Sequence, residues 1–260
     1  MAFNESQIEW DARDIRKRQG IEGSIPDIFN LILNENYYWM RYPFGRNTLC
    51  GCAILFEDTP VIVTNSSEIR AREYFTAAHE LAHVRYDLQS EISGVIVDNE
   101  IQNEPGKDDS EKRANSFAVN LLLPKEDIVL FIRRSLRKSE KELTAWDIVR
   151  IQIAFKTSYD SILYRLKEVR AITEAKRLNL KEIQTQFTSD KLFATLGEDP
   201  SLIQPFDQIQ VPPQFLQWVR ENYELERIPF EGLKRAFDLI KIDAEPLRRT
   251  IEASSAEASL

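Results

Sequence analysis

The 260-residue chain contains only two histidines, and both fall in one short run, Phe75-Thr76-Ala77-Ala78-His79-Glu80-Leu81-Ala82-His83. Inside it stands H-E-L-A-H, an instance of H-E-x-x-H. On an α-helix, residues i and i+4 share a face about one turn apart, so His79 and His83 can aim two imidazoles at one metal ion. Glu80 then lies beside them, placed to take a proton from a water that the metal activates. Taken alone, the pattern also fits two helix-surface or hydrogen-bonded core histidines, because five residues with two free positions recur by chance.

A catalytic zinc site uses three protein ligands and keeps one position open. Asp87 continues the i, i+4, i+8 series, but two helical turns (~12 Å of rise) separate it from His79, too far for bonds of ~2 Å to one ion. The third ligand therefore belongs to another element. Glu104, Asp108 and Asp109 stand in the polar stretch Asp98–Ser110, which contains Pro105-Gly106 and reads as a mobile loop, a poor support for a rigid ligand. Glu111 stands at a helix start, where the dipole favours the ionised carboxylate that a metal also needs. An ordinary first-turn acid fits that place equally well. Cys50 and Cys52 share one face of a strand, where a buried structural role suits them better than metal binding.

The elements that must position these groups follow from local pattern. A charged surface helix covers residues 4–19, and Ser24-Ile25-Pro26-Asp27 starts another through Leu33. Thr48–Phe56 and Val61–Thr64 are β-favouring runs joined by Glu57-Asp58-Thr59-Pro60, a hairpin whose edge could hold an extended substrate by β-augmentation. Asn65-Ser66-Ser67-Glu68 has the form of a capping box, predicting a helix from there through His83 to about Leu88. A short strand is expected over Ile92–Val97, then a helix from Glu111 closed by Pro124 and a further one from Lys125. Trp146–Phe155 and Tyr159–Val169 flank Lys156-Thr157-Ser158, as in a helix-turn-helix or a plain helical hairpin. The segment from Gln184 to Asp199 reads as a linker with little helix. A last helical pair covers Phe215–Tyr223 and Phe230–Ile240, and the small polar tail from Ala253 reads as disordered.

Composition sets the outer limits. Hydrophobic content of 43% and charged content of 29% are those of a globular protein with a real core. No apolar run is long enough to span a bilayer. With no leader-like N-terminus and only two cysteines, the expected location is cytoplasmic and no membrane partner is expected. Net charge is −8, yet Phe131–Glu182 carries 13 Lys/Arg against 7 Asp/Glu, a local +6. Such asymmetry fits solvated helix faces or a surface for DNA or an acidic partner.

The run Phe75–His83 resembles the R-F-T-x-A-H-E-x-G-H signature of the ImmA/IrrE metallopeptidase family. Glu111-Lys112-Arg113-Ala114-Asn115-Ser116-Phe117-Ala118-Val119-Asn120-Leu121-Leu122-Leu123-Pro124 resembles its second signature, E-x-x-A-N-x-F-A-x-x-L-L-x-P. Gly51, the Val63-Thr64-Asn65 run, Phe155-Lys156-Thr157-Ser158 and Arg165-Leu166 are also similar, so the resemblance covers roughly residues 25–170. Tyr74 and Ala82 replace the family's usual Arg and Gly, and its frequent extra His after the motif is absent.

The resemblance implies zinc (or another divalent metal such as Mn2+) on His79, His83 and Glu111, with Glu80 as general base. It leaves Tyr86 and Asn115 as groups behind the ligands or at the oxyanion. It implies an α+β fold: a small zincin-like catalytic domain, with a short antiparallel or mixed sheet packed on the H-E-x-x-H helix, followed by mostly α-helical C-terminal regions. The expected divisions are 1–130 for the metallopeptidase domain, 131–184 for a helix-turn-helix-like region and 185–260 for a helical C-terminal region. The implied activity is endopeptidase cleavage of an XRE-type helix-turn-helix repressor, which would derepress mobile-element, stress or defence genes. The competing reading is a regulatory protein that binds DNA or a repressor around a structural or vestigial metal.

Overall fold

The computed structural model describes residues 4–56, 59–88, 95–98 and 109–257. Four strands form one sheet in the order β1-β3-β2-β4: β1 (Tyr38–Tyr42), β2 (Gly51–Phe56), β3 (Thr59–Asn65) and β4 (Val95–Asp98). β1 runs parallel to β3, and the other neighbours are antiparallel. The expected hairpin exists as β2–β3, with Gly51 opposite Thr64 and Cys52 opposite Val63. Both its strands are interior, however, because β1 lies against β3 and β4 against β2. Among the described residues the sheet edges are β1 and β4, so over Gly51–Ile54 and Val61–Asn65 the hairpin has no edge to lend a substrate.

The chain before the sheet supplies α1 (Glu5–Arg18) and α2 (Ile28–Asn34), the latter capped by Asp27, whose carboxylate accepts from two backbone N–H groups. After the sheet come α3 (Arg70–Tyr86), which carries the H-E-x-x-H run, α4 (Asp109–Leu122) and α5 (Lys125–Arg134). α6 (Ala145–Phe155) and α7 (Tyr159–Glu168) are joined by three residues, of which Lys156 is left-handed at φ 53°. α8 (Glu174–Gln186) and α9 (Ser189–Leu196) complete this part. The chain divides into two compact units, Met1–Gln208 and Ile209–Leu260. In the first, one continuous core runs from Ile8 of α1 through Ile62 of β3 and Leu81 of α3 to Ile148 of α6 and Phe193 of α9. The second unit holds α10 (Pro213–Glu224), α11 (Phe230–Leu239) and α12 (Glu245–Glu257) around Leu233, Phe237 and Ala244.

Several expectations change. The expected linker over 184–199 contains α9, because Leu192 and Phe193 are buried and Gly197, left-handed at φ 68°, ends the helix. The tail from Ala253 continues as α12 to Glu257. The strand expected over Ile92–Val97 is β4, displaced to Val95–Asp98, with 92–94 outside the described residues. Of the expected loop over Asp98–Ser110, residues 99–108, with Glu104 and Asp108, also lie outside them.

α3 starts at Arg70, five residues after the capping box that the sequence suggested. Asn65 instead ends β3, where its side chain accepts from the N–H of Phe44 and Ser67 and donates to the carbonyls of Gly45 and Leu49. It pins the β1–β2 connection rather than a helix. The helix start is held by long-range contacts. The Arg70 N–H donates to the Gln204 carbonyl, and Glu73 in the first turn accepts from Arg41 Nε (2.9 Å), Arg41 Nη2 (2.6 Å) and the Thr64 hydroxyl (2.9 Å). Arg41 lies between the rings of Phe29 and Phe206. Arg41 and Glu73 are both buried, so neither charge tolerates losing the other. Arg41→Ala should lower unfolding stability by about 3–5 kcal/mol, read as a lower urea midpoint at unchanged slope. A loss below about 1 kcal/mol would show that the pair does not hold the helix start.

Candidate metal centre

α3 passes through the interior, and His79 and Glu80 are fully buried with His83 only 1% exposed. Small residues make this possible: Ala77, Ala78 and Ala82 are buried on α3, and Ala114 and Ala118 on α4, so the two helices pack closely. Ala82, where the family usually has Gly, fits without exposing any surface. β2 comes equally near. A Cβ on Gly51 would stand 2.5 Å from Thr76 Cγ2, too close to tolerate, and a tight 3.0 Å from Glu80 Oε1, so glycine at this point lets β2 and α3 approach each other beside Glu80.

The i, i+4 spacing and the helix packing bring three ligand groups together. His79 Nε2 and His83 Nε2 are 3.0 Å apart, and the two carboxylate oxygens of Glu111 each lie 3.4 Å from one of them. A tetrahedral ion with bonds of ~2.0–2.1 Å needs ligand atoms about 3.3 Å apart. The triangle fits a metal. Among the described residues, His79, His83 and Glu111 are the one such cluster of metal-ligating groups. Glu111 is the most open of the three, its side chain 20% exposed. Asp109, on the same first turn of α4, is exposed and outside the cluster.

The faces of the imidazoles turned away from the triangle are also occupied. Asn115, one turn after Glu111 on α4, places Oδ1 3.1 Å from His79 Nδ1. Asp87, which caps the C-terminus of α3 one turn after His83, places Oδ2 2.9 Å from His83 Nδ1, and Arg113 donates to its other oxygen. An acceptor at each Nδ1 favours the tautomer whose Nε2 lone pair is free for a metal. Asp87, too distant to share the ion, therefore orients a ligand. The i+4 spacing from His83 is the signal for this role in the sequence. Tyr86 is placed elsewhere: its hydroxyl donates to Asp11 of α1 at 2.6 Å, and burial holds its pKa above the usual phenol range.

Electrostatics match a site built around a cation. Burial opposes protonation of His83, but Asp87 and Glu111 outweigh it and push its pKa up to about 10. Hydrogen bonds from His79 and His83 hold Glu111 well below the usual carboxylate range. Cys52 is pushed up to about 11 by burial and then by the charge of Glu80. Both cysteines are buried thiols outside any disulfide, Cys50 accepting from Arg72 at 3.3 Å, and neither joins the cluster.

The IrrE N-terminal-like domain of the M78 peptidases matches residues 34–167, 134 of the 260 residues, and these include every member of the centre. The chain belongs to the IrrE N-terminal-like domain family. No curated protein is similar enough to be counted a relative. In this IrrE-type domain, His79-Glu80-x-x-His83 with the distant Glu111 matches the active site of a catalytic zinc metallopeptidase. Among the described residues no helix is long and apolar enough to cross a membrane.

If Asp87 orients His83, Asp87→Ala should weaken zinc binding by about 10–100-fold in a competition titration against a chromogenic chelator. An affinity equal to that of the wild type would remove Asp87 from the centre.

Proposed function

We propose that the chain is a zinc-dependent endopeptidase that cuts a helix-turn-helix transcriptional repressor of the XRE type, with Glu80 as its general base. The observation that carries the peptidase reading is the triangle of His79, His83 and Glu111 with Glu80 next to His79, buried beside β2 where Gly51 leaves it room. A purely structural zinc site is closed by four protein ligands and has no use for that carboxylate. His79 Nε2, His83 Nε2 and a Glu111 oxygen would hold the ion. Zinc there supplies Lewis acidity, lowering the pKa of water towards ~7 and polarising a peptide carbonyl.

The chain's own groups then have distinct tasks. The Glu80 carboxylate accepts the proton from the attacking water and delivers it to the departing amine nitrogen. Burial keeps competing solvent away from that carboxylate and strengthens the electrostatic interactions around it. Asn115 and Asp87 fix the ring orientations of His79 and His83. The repressor as substrate is supported by the likeness of the two signatures to those of ImmA/IrrE peptidases, which act on such repressors.

The test is to incubate the zinc-loaded chain with purified helix-turn-helix repressors encoded beside its gene and read the fragments by mass spectrometry. One repressor should be cut at a defined bond. Glu80→Gln should keep its zinc and lower the rate by about 10²–10⁴-fold. Cleavage of other proteins but of no repressor would overturn the substrate class, and an undiminished rate in Glu80→Gln would overturn the base.

A further inference from the structure

A groove that the peptidase mechanism leaves unused begins one helical turn from the metal triangle. On α3, Phe75 precedes His79 by about one turn and Ala71 by about two; on α4, Asn115 and Val119 follow Glu111 by the same steps. These residues therefore mark one seam between the two helices, and the groove along it is closed on its far side by α7 and α8. It encloses about 780 Å3, inside the range of ~300–1,000 Å3 typical of ligand sites. Its near end approaches the centre through Phe75 and Asn115, although none of the three ligand residues is among its walls. The Phe75 ring lies 6.5 Å from the His79 ring, and Asn115 is the group that meets His79 Nδ1.

The walls combine apolar groups from α3 and α4 with ionic groups from α7 and α8. Phe75 and Val119 are apolar, and Tyr164 on α7 leaves 58% of its surface exposed. Beyond it the Arg177 guanidinium lies 5.0 Å from the Tyr164 ring centre, and Lys181 pairs with Asp160 at 2.7 Å. The ionic side chains lining the groove are four cations and two acids. Glu68 and Glu174, the partners of Arg72 and Arg177, stand outside the lining. Lys181 and Asp160 are both more than a third exposed, and pairs of this kind are weak, so a carboxylate from a bound chain can compete for the cation.

We propose that this groove is the subsite for the substrate chain on one side of the scissile bond, taking an apolar or aromatic residue beside Phe75 and Tyr164 and an acidic residue farther out at Arg177 and Lys181. The assignment rests on the peptidase reading and deepens it. Tyr164 and Lys181 are specificity residues in this account, remote from the reacting atoms.

The test uses the zinc-loaded full chain and a library of random-sequence peptides, with cleavage sites and relative kcat/KM read by mass spectrometry. The wild type should favour an apolar or aromatic residue next to the cut and Asp or Glu farther along the same side, the latter by about threefold, the scale of one exposed ion pair. Lys181→Glu should move that outer preference towards Lys and Arg, and Tyr164→Ala should weaken the apolar preference. Both variants should keep the wild-type zinc content and circular dichroism, since both side chains are exposed. Cleavage without an acidic preference, or a preference unmoved by Lys181→Glu, overturns the subsite and leaves the peptidase intact. A zinc-loaded wild type that cuts no peptide and no protein overturns the peptidase reading, and the subsite with it.

Discussion

Two imidazole nitrogens 3.0 Å apart in a protein interior form an arrangement that needs a cation or a shared proton between them. Burial alone opposes a charged imidazole, and the chain answers with three carboxylates: Glu111 across the triangle, Asp87 behind His83, and Glu80, whose charge also favours a cationic His83. The rest of the first unit can be read as the support for that concentration of charge. α4 must lie close enough along α3 for Glu111 and Asn115 to reach in from successive turns, and the alanines of both helices permit it. β2 must pass close to Glu80 without displacing it, and Gly51 permits that.

A buried site of this kind also needs a helix that cannot shift along its axis, since a displacement of 1 Å would misplace both ligands and base. α3 is therefore anchored at both ends by distant chain. At its start, Arg41 of β1 and the Gln204 carbonyl hold Glu73 and Arg70. At its end, Asp11 of α1 takes the Tyr86 hydroxyl and Arg85, while Arg113 of α4 takes Asp87. Residue 11 and residue 204 are thus tied to one 17-residue helix, which explains why a single core runs through most of the chain.

What could be read from the sequence follows the range of the interactions involved. The pairing of His79 with His83 is local, fixed by helical periodicity, and needed no tertiary information. The edges of the same helix were misplaced, because its start depends on Arg41 and Gln204, which lie 29 and 134 residues from Arg70. Asn65 carries a capping signature but is consumed by the β1–β2 connection, a case of tertiary demand overriding local propensity. Glu111 could be placed on a helix start, but spacing could not show that α4 lies against α3. Only the likeness of its whole run to a second signature chose it among the acids. α9 was hidden by its polar composition, although Leu192, Phe193 and the left-handed Gly197 held the signal. The covering of the β2–β3 hairpin by β1 and β4 was invisible, since strand order is a long-range property.

The central claim is that two histidines of one helix and a glutamate of another bind one zinc ion and leave a position open. X-ray absorption at the zinc edge, on the zinc-loaded chain in solution, tests it most directly. The account predicts two imidazole nitrogens at ~2.0–2.1 Å and light oxygen donors at ~2.0–2.2 Å, with one oxygen altered in Glu111→Ala. A sulfur shell at ~2.3 Å, which would bring in Cys50 or Cys52, or a spectrum with no imidazole signature, would contradict it.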